Sequence, residues 1–182
     1  MATVPSQSTV TVGSKITAAY GNDDIRDAIN FLLDQPHVFA YQTTGVSIGS
    51  GTATEILMTF DTESWDNDVM HDNVTNPSRI IAKTAGLYAV NFQVAFPANA
   101  TGVRYAVLRK NAAGASGGGT ALAFARDQSA SGTGASYVSK SLDVQLAAND
   151  YLEVFGLQNS GGALTSVTGI SGTYCQMRRV GA

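Results

Sequence analysis

AKTAGLYAVNFQVAF, residues 82–96, alternates strictly once the turn signal Thr84-Ala85-Gly86 is passed. Tyr88, Val90, Phe92, Val94 and Phe96 fall on one side, and Leu87, Ala89, Asn91 and Gln93 on the other. Successive side chains leave opposite faces of a pleat, so a period of two over this length is the pattern of a half-buried strand. Five large apolar residues on one face mark it as the central strand of a β-sandwich. Working outward, strands are expected at 37–42, 47–54, 55–60, 79–82, 103–110, 121–126, 137–146, 151–157 and 172–178, with glycine-rich or polar turns between them. Residues 61–72 read as an acidic loop holding Trp65, and 113–119 and 129–135 as flexible loops. Many short strands without interleaved helices argue for an all-β sandwich or barrel over an α/β fold. The expected core comprises Phe60, Tyr88, Val90, Phe92, Val94, Leu142, Leu152 and Val154.

Residues 1–13 are polar and β-branched, and read as an extended arm. The one helical pattern lies within 14–36: Ile25, Ala28, Ile29, Leu32 and Leu33 follow i, i+3, i+4, i+7, i+8. Asn22 or Asp23 suits the N-cap, Asp23 and Asp24 complement the helix dipole, and Pro36 ends the run. About three turns cannot stand alone in water, so the apolar face must dock on its own domain, on sister copies or on a foreign surface. The chain thus divides into an arm and helix, 1–36, and a head domain, 37–182.

Composition narrows the function. The 182 residues carry 44% hydrophobic residues, a net charge of −3 and only four lysines, with mean hydropathy +0.03 and a pI near 5.2. That balance supports a folded core and disfavours a phosphate-backbone binder, which needs a basic footprint. The start, MATVPSQSTVTVGSK, has neither the apolar core nor the basic flank of a signal peptide, and no apolar run approaches the ~20 residues a membrane helix requires. A soluble protein made in the cytosol is expected, with no membrane insertion. The single Cys175 lies in an expected strand, as a small buried hydrophobe.

The region from Phe60 to Val94 resembles the signature of the complement-one-q/tumour-necrosis-factor jelly-roll family. The matching features are Phe60, a polar loop, Arg79-Ile80-Ile81-Ala82, Thr84-Ala85-Gly86, and then Gly86-x-Tyr88-x-Val90-x-Phe92, with Val90 where an aromatic is usual. Leu146-x-x-Asn149-Asp150-Tyr151-x-Glu153-Val154 and Thr168-Gly169-Ile170-Ser171-Gly172-Thr173-Tyr174 are similar to the family's closing strands. The resemblance implies a ten-stranded jelly roll associating as a trimer. Residues 14–36 (Lys15-Ile16-Thr17-Ala18-Ala19, Asn22, Ile25-Arg26-Asp27, Asn30-Phe31-Leu32-Leu33-x-x-Pro36) look like the leader of small virion proteins of actinobacterial tailed phages, usually labelled minor tail proteins. Together the two resemblances imply a trimeric head displayed on a virion, assembled in the host cytoplasm and anchored through Ile25, Ile29, Leu32 and Leu33.

Catalysis finds little support. Gly45-Val46-Ser47-Ile48-Gly49 matches the G-x-S-x-G nucleophile elbow, but glycine and then a strand follow where the motif needs a helix. His37 and His71 are too few for a zinc site. No enzyme is expected. Asp61, Glu63, Asp66, Asp68 and Asp72 form the densest polar cluster, and hard cations take several oxygen ligands. Asp66, Asp68 and Asp72 are therefore the candidates for calcium, although the glycine and distal glutamate of an EF-hand loop are missing. No cofactor is otherwise expected.

With Leu152 and Val154 facing the core, Tyr151, Phe155 and Leu157 should face out. Exposed aromatics on a strand call for a symmetric neighbour, or for the helix, as cover. The expected trimer contacts are Tyr105, Tyr137, Tyr151 and Phe155. A basic set of Arg104, Arg109, Lys110 and Arg126 could engage anionic surface polymers. Three functional readings follow: a minor tail protein contacting a host-surface glycan, a capsid decoration protein on the shell, and a free lectin-like module. None involves nucleic acid.

Overall fold

A computed structural model of the chain describes residues 5, 9, 11–15, 17–129 and 134–181. Most of the 1–13 arm and residues 130–133 of the loop expected at 129–135 lie outside the described residues. In order come a π-helical segment, Tyr20–Arg26, running into α1 (Asp27–Leu33), then β1 (His37–Tyr41), β2 (Ser47–Ile48), β3 (Gly51–Leu57), β4 (Thr62–Asp66), β5 (Arg79–Ile81), β6 (Gly86–Phe96), β7 (Val103–Lys110), β8 (Thr120–Gln128), β9 (Ser136–Leu146), β10 (Tyr151–Gln158), β11 (Leu164–Thr165) and β12 (Tyr174–Gly181). One sheet has the order β4-β1-β12-β6-β9 and the other β5-β10-β7-β8. Their paired strands run antiparallel. The two-residue strands β2 and β11 pair only with each other. That makes twelve strand segments among the described residues, against the ten expected.

The alternation at 86–96 becomes β6, hydrogen-bonded to β12 on one side and β9 on the other. Tyr88, Val90, Phe92, Val94 and Phe96 turn inward and are buried. Phe60, Leu152 and Val154 close on them from other elements, and Leu142 reaches only half-burial because β9 is the edge strand. Fully burying a side chain such as Phe92 contributes roughly 1.5–3 kcal/mol. The Tyr88 hydroxyl donates to the Thr84 carbonyl at 2.5 Å, closing the turn that starts the strand. At Gly86 a Cβ would sit 2.5 Å from the Gly181 carbonyl oxygen, so this end of the strand pair requires glycine.

Four expectations need correction. The 61–72 segment is not all loop: Thr62–Asp66 pairs with β1 as β4, because the β1 edge had free backbone groups to satisfy. The break near 54 falls earlier, giving β2 and β3 with glycines at 49 and 51. The helical segment starts ahead of Asn22 and Asp23. The Thr17 side chain, not theirs, accepts the Tyr20 amide at 3.2 Å, while the Asn22 side chain accepts from Arg26. The fourth concerns the outer face of β10. Phe155 is buried in one chain and Leu157 nearly so, in a second small core with Val107, Ala112, Leu57 and Tyr105. Strand β3 folds back beside β10, with the Met58 amide donating to the Val154 carbonyl at 2.8 Å, and it covers what alternation alone leaves bare. No helix among the described residues is long and apolar enough to cross a membrane.

Candidate interaction faces

Ser47 of the G-x-S-x-G stretch sits on β2, exposed and paired with Thr165, and β3 follows instead of a helix. His71 is elsewhere: its ring is fully buried, Nδ1 2.7 Å from Glu63 Oε1 and Nε2 3.1 Å from the Pro77 carbonyl. Cys175 is buried, and burial pushes its thiol up to about 12. No nucleophile, base and acid converge among the described residues.

The acidic cluster organises backbone. Asp66 accepts the amides of Asp68, Met70 and His71 at 2.9–3.1 Å. Asp72 accepts those of Val74 and Thr75, and these bonds hold its carboxyl below the usual carboxylate range. Asp61 accepts Thr43 and Thr44. Partial burial raises its carboxyl, but hydrogen bonding from these threonines outweighs that and leaves it lowered. Asp66, Asp68 and Asp72 do not converge: among the described residues no three His, Cys, Asp or Glu side chains are placed to share an ion.

The basic set is dispersed. Arg104 is fully buried, donating to the carbonyls of Asn99, Thr101 and Val103, and burial lowers its guanidinium. Arg109 forks onto Glu55, Nε to Oε2 at 2.5 Å and Nη2 to Oε1 at 2.7 Å, each side chain only about 10% exposed. Lys110 pairs with Asp150 at 3.3 Å. Only Arg126 stays on the surface, its guanidinium carbon 5.7 Å from the Tyr105 ring centre. Three of the four cations are committed inside the chain, so the set forms no polyanion patch.

Two exposed apolar groups stand out beside single exposed residues such as Phe124, Val74 and Ile170. The first is the outer face of the five-stranded sheet. Trp65, 43% exposed, and Tyr174 each lie 5.1 Å, ring centre to ring centre, from Phe39, with Tyr41 at 6.1 Å. β4, β1 and β12 bring these four rings together, because every second residue of neighbouring strands shares a face. Alternation assigns Phe39 and Tyr41 to one face, but Trp65 joins them only through the β4–β1 pairing that reading 61–72 as loop conceals. Toward β9 the same face turns small and polar through Ala89, Asn91, Gln93, Ser139 and Ser141. Tyr137, 51% exposed, belongs to its far edge.

The second feature is the helix. It turns Phe31 toward the head, where the Arg179 guanidinium lies 5.1 Å from the Phe31 ring centre, and buries Asp24. Ile25, Ile29, Leu32 and Leu33 stay exposed, Leu33 at 80%. The helix therefore does not spend its apolar stripe on its own domain, and it does not cover β10. Leu32 and Leu33 line one surface groove with Trp65 and Val180, which joins the stripe to the aromatic sheet face. Of the expected trimer contacts, Tyr137 alone is openly exposed. Tyr105 and Tyr151 are half-buried, Tyr151 beneath the Arg79 guanidinium at 4.3 Å, and Phe155 is inaccessible.

No family model matches the sequence, and no curated protein matches it. Solved structures do resemble the chain. The globular domain of zebrafish complement 1qA is 11% identical with a TM-score of 0.53, aligned over 80% of this chain and 98% of its own. Murine APRIL crystallised at pH 5.0 is 10% identical with a TM-score of 0.58, over 80% and 98%. Eiger TNF from S. frugiperda is 16% identical with a TM-score of 0.54, over 80% and 94%. At these identities the likeness is one of fold: a C1q/TNF-like jelly roll.

Proposed function

We propose that the chain is a non-enzymatic binding and structural module, a homotrimer whose copies meet through the outer face of the five-stranded sheet. The observation that carries this is Trp65, 43% exposed on the outer sheet face, in one aromatic cluster with half-buried Tyr41 and Tyr174 around a buried Phe39. Aromatic rings gathered in this way are unfavourable in water and are enriched at protein interfaces. The jelly-roll likeness to complement 1qA, APRIL and Eiger TNF supports the reading. This face replaces the outer face of β10 as the shared surface, and Phe155 drops out of it.

The setting proposed is a bacteriophage virion, on the similarity of residues 14–36 to tail-protein leaders. Residues 1–36 form the anchoring segment, with the exposed stripe Ile25, Ile29, Leu32 and Leu33 against another virion protein, and the jelly-roll head, 37–182, points outward. A minor tail protein that touches a host-surface glycan is the first placement. A capsid decoration protein is the second, since the same stripe would serve on a shell. Counting this chain against the major capsid protein in purified virions by quantitative mass spectrometry tests both. A copy number that is a small multiple of three supports the tail, and one comparable with the capsid protein supports the shell. Absence from the particle rejects the virion reading and leaves a free lectin-like module.

A further inference from the structure

The outer face of the five-stranded sheet carries two opposite charges with no ion-pair or hydrogen-bond partner among the described residues. Arg178 on β12 and Asp143 on β9 are both exposed, and Ala89 on β6 stands between them as the direct cross-strand partner of each. Two strand spacings separate their Cα atoms by about 10 Å. The two side chains form opposite walls of one shallow cleft, floored by Ala89 and flanked by Asn91, Ser141 and Gln176. Neither makes an ion pair or hydrogen bond among the described residues. Several charges elsewhere are paired: Arg109 with Glu55, Arg79 with Glu153, Lys110 with Asp150. His37 lies beside Arg178, with its ring 3.7 Å from Asp34, and the tyrosines Tyr41, Tyr174 and Tyr137 share the face. The cleft runs directly into the aromatic cluster, since Gln176 pairs with Phe39 across β12 and β1.

We infer that Arg178 and Asp143 are mates across the contact between copies, Arg178 of one chain meeting Asp143 of the next. The occupant of the cleft is a second copy of this chain. One cation and one anion set apart on one face let the Arg178 side of each copy meet the Asp143 side of the next about a three-fold axis, a heterologous contact. A ring in which each copy offers Arg178 to one side and Asp143 to the other closes without a leftover charge. Charge pairs of this kind choose the register and reject wrong partners. The proposal rests on the homotrimer reading given above, and it specifies which residues set its register.

The test is a charge swap in the full chain, read as molar mass against concentration by light scattering at low and high salt. Arg178→Asp and Asp143→Arg each bring like charges together, and each should weaken assembly by about tenfold or more, with the defect shrinking as salt screens the repulsion. The double variant R178D/D143R restores opposite charges and should assemble close to wild type. Both positions are exposed, so unchanged circular dichroism will accompany the loss. Single variants that assemble like wild type, or a double variant as dissociated as the singles combined, overturn the pairing while leaving the trimer intact. A wild-type chain that is monomeric throughout overturns the trimer reading itself, and this one with it.

Discussion

Replacing Glu55 by leucine tests whether β3 is held to the sandwich by a desolvated ion pair. The Glu55 carboxylate takes both forks of Arg109 and the Gly117 amide, and the Glu55 amide donates to Ser116. With the carboxylate gone, the guanidinium stays about 90% covered and keeps only the Gly118 carbonyl at 3.0 Å. A buried charge deprived of its partner costs about 3–5 kcal/mol. For a slope near 2 kcal/mol per molar urea, the unfolding midpoint should fall by roughly 2 M, compared at one fixed protomer concentration because assembly adds to apparent stability. The cover over Phe155, Leu157 and Val107 should loosen at the same time, raising binding of an apolar dye. The double variant Glu55→Leu/Arg109→Met removes both charges and should return to within about 1 kcal/mol of wild type. A single variant that loses less than about 1 kcal/mol would refute the reasoning, because the pair would then be behaving as a solvated surface bridge.

Three further outcomes are expected. Bonds from Asn111 and the Ala147 amide, helped by Lys110, hold the Asp150 carboxyl below its ordinary value. Its contribution is therefore present above about pH 4 and lost as pH falls through the lowered value, so Asp150→Asn should flatten the acid limb of a stability–pH curve and leave less stability at neutrality. Cys175, with its thiol raised to about 12, should resist alkylation at pH 8 in the folded chain and react fully in denaturant, because the thiolate is the nucleophile; fast native labelling would contradict its burial. Gly156 on β10 leaves room for Ile48 Cδ1 and Val94 Cγ1, which would stand 3.0 and 3.2 Å from an added Cβ. Gly156→Val should therefore overpack the core and cost about 1–3 kcal/mol in denaturant unfolding.

How much of this was legible in the sequence depended on whether the deciding contact was local. The alternation of β6 is a local property, and so are the ends of β7, which fall where turn residues put them. The covering of Phe155 was not legible, because it depends on β3 returning to a strand about a hundred residues away. Alternation tells which side a residue faces but not what lies on that side. Trp65 was hidden for the same reason, since β4 is a strand only by virtue of pairing with β1. The basic set failed because proximity in composition is not proximity in space: Arg104 faces the interior, while Arg109 faces Glu55 from across the second core. The helical stripe was visible, and the structure adds that it remains unspent on its own head. Arg178 and Asp143 carry no sequence signal at all, because only the β12–β6–β9 register sets them on one row.

The central claim, that this jelly roll works as a trimer, is tested most directly by the molar mass of the purified full chain from light scattering across a dilution series. A trimer gives a species of three times 18.9 kDa that persists on dilution. A mass that stays at one chain throughout would contradict it.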